Sequence, residues 1–474
     1  MSRTPFAPAP DLADPRRRVP WGSALATAVA SVGWAFGCMA VVAVLGLHLL
    51  GADAQGALAP MTAAVVTMAV GGKVNPAGDL SVFGVSGAEG TAAIDIFPLG
   101  VGLAGALLLS WIFLRSLRRA GAQISWGELA ARAAMLVALF TAALWGLTWA
   151  GHDTISINGA TLGGSGGGGG GSGGILGSVP GLGDLGDLDP GLLGGLNDLA
   201  KSKTSVGFHV ETGVSLASGV LWVLAVLVIA LLASRHTPLP PGWEVLHREV
   251  RPTVSALCSV LLLAVVAGFA IAVYSAITDD HPGRIIGSAL VGGVNGVWLG
   301  TALGLFVPWQ GRATGPLALL VPHPLDRLIG GGSGQPATIS RLAQLDGRMW
   351  LLVVAAVLMM LAAGVLAAAR TPVGGVAAWR YAGLCALRLG VTTAVGLSVV
   401  VWLTSFSVNA DLSVFGFDAV GSGVGLHGSL AAAVILGAIW GAMAGAVGAL
   451  LAYATGTAGG QATPQALTTG YVSG

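Results

Sequence analysis

About ten long, mostly apolar runs leave this chain few ways to fold. Among them are residues 23–50, 98–114, 129–150, 215–233, 254–277, 285–307, 351–369, 389–403 and 428–453. A helix needs roughly 20 apolar residues to cross the hydrocarbon core of a bilayer. In water such a chain has too little polar surface to cover itself, since only 9% of its residues are charged. The runs therefore predict an all-α polytopic membrane protein, a bundle of about 8–10 hydrophobic helices. The first run follows Arg16, Arg17 and Arg18 and is too long for the apolar core of a cleaved signal, so it reads as an uncleaved span.

The formal net charge of +1 carries no field that would draw nucleic acid. Single arginines matter through their position, because short cytoplasmic loops collect Lys and Arg. Arg16–Arg18 place the N-terminus inside, and Arg115, Arg118 and Arg119 do the same for the end of the run 98–114. The short apolar stretch 57–70, opened by Pro60 and closed by Gly71 and Gly72, must then return to the side it left. A re-entrant half-helix fits, tolerated only where its backbone is buried in protein or lines a cavity. Run 129–150 leads outward, 215–233 returns, and Arg235, Arg248 and Arg251 are cytoplasmic.

Beyond 277 the arginines nearly tie. A full span over 285–307 puts Arg312, Arg327, Arg341 and Arg348 inside and Arg370 and Arg380 outside; a re-entrant one swaps them. An internal repeat favours the re-entrant form. The hexapeptide Asp-Leu-Ser-Val-Phe-Gly occurs at 79–84 and again, unchanged, at 411–416, each time before an apolar run. Two copies on one face are both extracytoplasmic.

The outer stretches 73–97, 152–162 and 405–427 alternate apolar and polar residues with period 2, and Ile155 and Ile157 lead into Asn158-Gly159, a hairpin signal. They either build a small extracytoplasmic β-rich cap or stay irregular. Residues 163–174 are Gly and Ser only and read as a flexible linker. The expected organisation is a cytoplasmic tail (1–20), a first membrane region (21–150, outer loop 72–97), a Gly-rich outer loop (151–207), a second membrane region (208–454, outer loop 404–427) and a C-terminal tail (455–474).

Chemistry is sparse. The Gly-rich tract lacks the Gly-Lys-Ser/Thr ending of a phosphate cradle. Asp184, Asp187, Asp189 and Asp198 do not reproduce a calcium loop. Cys38, Cys258 and Cys385 are odd in number, lie in or beside apolar runs and read as packing residues. No cofactor or metal is expected, nor a nucleophile elbow. His281 beside Asp280, and His323 near Asp326, pair an imidazole with a carboxylate in a way that either moves protons or merely caps a turn. Polar groups at membrane depth are costly and so more telling. Asn295 is the main one, an amide able to bridge helices, and Asp53 is a further candidate polar position. Around Asn295, Gly292, Gly296, Gly300 and Gly304 recur every four residues, as do Gly437, Gly441 and Gly445. Each row makes a smooth face for tight packing within the chain or for a homo-oligomer seam.

Several motifs together resemble one family. They are Leu-His-Leu-Leu-Gly-Ala-Asp at 47–53, Pro-Met-Thr-Ala-Ala-Val-Val at 60–66, Trp-Ala-Gly-His-Asp at 149–153 and Pro-Leu-Pro-Pro-Gly-Trp-Glu at 238–244. Asp-Asp-His-Pro at 279–282, Asn-Gly-Val-Trp-Leu-Gly at 295–300, Pro-His-Pro-Leu-Asp at 322–326 and Leu-Asp-Gly-Arg at 345–348 complete the set. The chain is similar over nearly its whole length to the streptophobe family of polytopic membrane proteins from Streptomyces and related actinobacteria. The resemblance implies a multi-pass plasma-membrane protein and no particular activity or site residue. The expected role is a non-enzymatic scaffold or permease-like component of the envelope, with the lipid bilayer and other envelope proteins as partners. The alternative is a secondary transporter or channel using 57–70 and 285–307. An enzyme on lipid-linked substrates ranks third, for want of a convergent acid/base pair.

Overall fold

The computed structural model describes residues 21–54, 57–79, 88–119, 124–150, 153–158, 203–235, 237, 246–314, 336–373, 375–414 and 417–462. The first half holds α1 (Trp21–Leu49), α2 (Leu58–Ala69), β1 (Val74–Asp79), β2 (Ala88–Asp95), α3 (Leu99–Arg119), α4 (Trp126–Ala150), β3 (Asp153–Asn158), β4 (Lys203–Val210) and α5 (Thr212–Ala233). The second holds α6 (Arg251–Thr278), α7 (Pro282–Gly304), β5 (Trp309–Thr314), the short α8 (Ile339–Leu345), α9 (Trp350–Arg370), α10 (Ala378–Thr404), β6 (Phe406–Val414), β7 (Phe417–Gly428) and α11 (Leu430–Ala454). Among the described residues nine helices are long and apolar enough to cross a membrane; α2, at 12 residues, is not.

The strands form one antiparallel sheet in the order β3-β4-β1-β2-β6-β7-β5. The described parts of the two hexapeptide copies flank the same strand, β2, on its two sides. Glu89 of β2 lies opposite Asp79, the first residue of one copy, and opposite Ser413 of the other. Residues 80–84 and 415–416 lie outside the described residues. Two points differ from the sequence expectation. The partner of β3 is β4, which begins at Lys203, more than forty residues beyond Asn158, and Gly159 lies outside the described residues. Two further strands, β4 and β5, join from segments not expected to be extended.

Each strand adjoins a helix end, which defines a sheet end of the bundle: the starts of α3, α5 and α11 and the ends of α2, α4, α7 and α10. Two clusters hold most of the described core, with smaller ones around Tyr381 and Val74. Met39, Leu109, Phe113, Phe140, Leu144 and Val223 are buried among α1, α3, α4 and α5, and Ala302, Met360, Leu389, Leu397 and Val401 among α7, α9 and α10.

Helix α7 joins the two halves at the sheet end. Its start lies on the last turn of α1, where a Cβ on Gly287 would come within 2.9 Å of the Gly46 carbonyl oxygen. Its middle crosses the start of α3, whose Gly100 faces the Leu290 carbonyl. Its end meets the start of α9, a Cβ on Gly304 falling 2.6 Å from the Leu352 carbonyl oxygen. The chain then reverses through Phe306, at φ +69°, with Phe306 N–H donating to the Leu303 carbonyl and Val307 N–H to that of Ala302. That pair of bonds is the Schellman ending, usually built on Gly; here the Phe306 ring lies parallel to Trp440. Both ends of α7 therefore lie at the sheet end, as do both ends of α2.

Candidate functional site

Asn295 is a pin. The first turn of a helix has N–H groups without intrahelical acceptors, and the Leu99 N–H of α3 donates to Asn295 Oδ1 at 3.0 Å. Asn295 Nδ2 returns a bond to the Phe97 carbonyl at 2.7 Å. The Phe97 ring packs on Trp402 at the end of α10, so one amide ties three helices together.

The glycines around it divide. A Cβ on Gly292 or Gly296 would meet nothing within 4 Å, and one on Gly300 only the Leu352 methyl at 3.6 Å. The row expected to be one seam is open for most of its length, and the close backbone contact falls at Gly304 alone. The other row is tight throughout. Cβ atoms on Gly437, Gly441 and Gly445 would collide with the backbone of α10, at Thr393, Leu389 and Cys385. One turn on, Gly448 meets Gly364 of α9.

The remaining candidates sit apart from this pin. Asp53 pairs with His48, Oδ2 to Nδ1 at 3.0 Å, in solvent at the end of α1. Asp280 and His281 are exposed in the turn between α6 and α7. The carboxylate engaged there is that of Asp279, which accepts the His281 backbone N–H at 2.8 Å. His323 and Asp326 lie outside the described residues. Among the described residues no three of His, Cys, Asp or Glu come together as metal ligands.

At the opposite end of the bundle, sequence reasoning gathered arginines on one side but missed the groups they contact. Arg115, Arg118, Arg119, Arg132, Arg235, Arg248, Arg251, Arg370, Arg380 and Arg388 all lie there, where the only described carboxylates are Glu128 and Glu249. Both are engaged, Glu128 by Arg132 and Glu249 by Arg388, each at 2.8 Å. Four other arginines also reach neutral oxygens, while Arg115 and Arg380 lie over the rings of Trp111 and Trp379. Arg118 reaches Ser234 at 3.4 Å, and Arg251, 1% exposed, donates Nη1 to the Thr237 carbonyl at 2.9 Å. Arg235 donates to the Gln461 carbonyl, and Arg370 to Ser255 and Ser259. The signal available in the sequence was the position of Ser255 and Ser259, one helical turn apart at the start of an otherwise apolar run. A cavity of about 10 Å³, room for about one water, lies beside Arg132 between α1, α3 and α4. Described arginines outnumber described carboxylates at this end, whereas the sheet end carries most of the described acidic residues. No protein-family model, curated protein or solved structure matches the chain.

Proposed function

We propose that the chain is a multi-pass integral membrane protein of the cell envelope and a member of the streptophobe family, acting as a non-enzymatic scaffold or permease-like component. Its arginine end faces the cytoplasm and its sheet caps the outer side.

The banding of the surface carries this reading. Trp21, Trp126, Trp379 and Tyr453 are exposed at the arginine end, and Trp145, Trp149, Trp350 and Tyr274 at the sheet end. Between them the exposed side chains are large and apolar, among them Val41, Leu107, Val228, Val395 and Ile439. Amphipathic rings settle at the two interfaces of a bilayer and arginines stay on the cytoplasmic side. Helices α2 and α7 then enter from outside and return, and eight helices cross. The polar side chains on these helices serve structure: Asn295 pins α3, while Arg132 and Arg388 hold carboxylates. That supports the non-enzymatic role.

A secondary transporter or channel is the second reading. It is favoured by α2 and α7, two returning helices in corresponding places of the two halves, the arrangement in which transporters build midplane sites. A water-filled path reaching Asn295 from one side separates the two.

The test is accessibility in cells, with Cys38, Cys258 and Cys385 replaced. Thr314→Cys in β5 should react with a membrane-impermeant maleimide on intact cells, and Thr455→Cys only after permeabilisation. The reverse pattern would overturn the orientation. Release of the protein by alkaline carbonate would overturn membrane insertion itself.

A further inference from the structure

We propose that Arg370, with Ser255, Ser259 and Arg235, forms a seat for a phosphate group, that of an anionic phospholipid in the cytoplasmic leaflet. The inference rests on the membrane reading above.

A guanidinium offers five N–H donors in a planar fork. Arg370 Nη1 lies 2.9 Å from Ser255 Oγ and 3.2 Å from Ser259 Oγ. The Ser259 hydroxyl donates to the Ser255 carbonyl at 2.7 Å, which leaves its lone pairs free to face the arginine. Arg370 Nε is buried without a partner, and no carboxylate among the described residues forms an ion pair with Arg370. Arg235 is close enough for its charge to act on that of Arg370, and it is held in place by the Gln461 carbonyl at 2.9 Å. Two cations within reach of each other's charge, with only neutral partners among the described residues, are unfavourable, because a half-buried charge needs an opposite one. The oxygens of a phosphate match the guanidinium fork two at a time.

Depth selects the lipid over a free ion. Arg370 is the last residue of α9, and Trp379 and Tyr453, 74% and 45% exposed, lie at the same end. Exposed aromatic rings mark the headgroup level, and basic pockets between helices on the cytoplasmic side take anionic headgroups. The arrangement differs from a snorkelling arginine, whose charged end would stand in water. Here α5, α6, α9 and the segment after α11 converge on it.

The experiment uses the full chain in mild detergent, titrated with phosphatidylglycerol or phosphatidylcholine and read by native mass spectrometry. The wild type should retain phosphatidylglycerol in preference to phosphatidylcholine. Arg370→Gln should bind phosphatidylglycerol roughly five- to tenfold more weakly, with Arg370→Lys in between. The double variant Ser255→Ala/Ser259→Ala keeps every charge and should also weaken binding, which covers the case in which Arg370→Gln does not fold. Equal retention by the wild type and the double variant, or by the wild type and a folded Arg370→Gln, would overturn the seat. Stabilisation by inorganic phosphate matching that by phosphatidylglycerol would overturn the lipid assignment. Carbonate release of the wild type would instead sink the membrane reading, a separate outcome.

Discussion

Asn295 accepts from an N–H that α3 cannot satisfy itself and donates to the carbonyl two residues earlier. Asn295→Leu would leave both backbone groups unpaired in a partly buried place. A lost bond of this kind costs about 1–3 kcal/mol, so a clear fall in the detergent melting temperature is expected, with Asn295→Asp intermediate because it keeps the acceptor. An unchanged melting temperature in Asn295→Leu would remove the pin. The sequence made Asn295 conspicuous because an amide in an apolar run is costly, but could not show that its partner is a helix start almost two hundred positions away. The same blindness hid Ser255 and Ser259, which look like ordinary small residues until Arg370 is placed beside them.

At the scale of elements, α9, α10 and α11 are held together by backbone approach. A Cβ on Gly441 would lie 2.6 Å from the Leu389 carbonyl oxygen, whereas one on Gly296 meets nothing within 4 Å. Gly441→Ala should therefore lower stability by about 1–3 kcal/mol through overpacking. Gly296→Ala should be neutral or raise stability by up to about 1 kcal/mol through helix propensity. Thermal unfolding of the two variants beside the wild type checks both signs. The two rows look alike in sequence, since spacing reports a smooth face and not what lies against it. The long helices were legible from apolarity, with one shortfall: the run 389–403 misses the first three turns of α10, where Arg380 and Arg388 interrupt the pattern. Arg388 is accommodated by Glu249, a partner far away in the chain. Strands β4 and β5 were not legible because extended segments are stabilised by partners remote in sequence.

Across the whole molecule, β2 and β6 join the strands of the first half to those of the second. Both are interior strands, paired on either side, so a residue without an N–H is poorly accommodated. Ala410, opposite Ala92, is central in that pairing. Ala410→Pro should destabilise the sheet and make Thr314→Cys and Gly423→Cys react faster with the impermeant maleimide, while the helical content read by circular dichroism stays near that of the wild type. Unaltered labelling would mean that the two halves hold without the strand junction.

That junction also sets a timetable for synthesis. Strand β2 ends at Asp95 and its partner β6 begins at Phe406, about 310 residues later. At about 5–20 residues per second, the edge of β2 waits on the order of 15–60 s for its neighbour. An unpaired strand edge is a template for pairing with another chain. The first half thus leaves the ribosome with an open edge that only the last quarter of the polypeptide closes, and truncated or stalled chains would be left with that edge exposed.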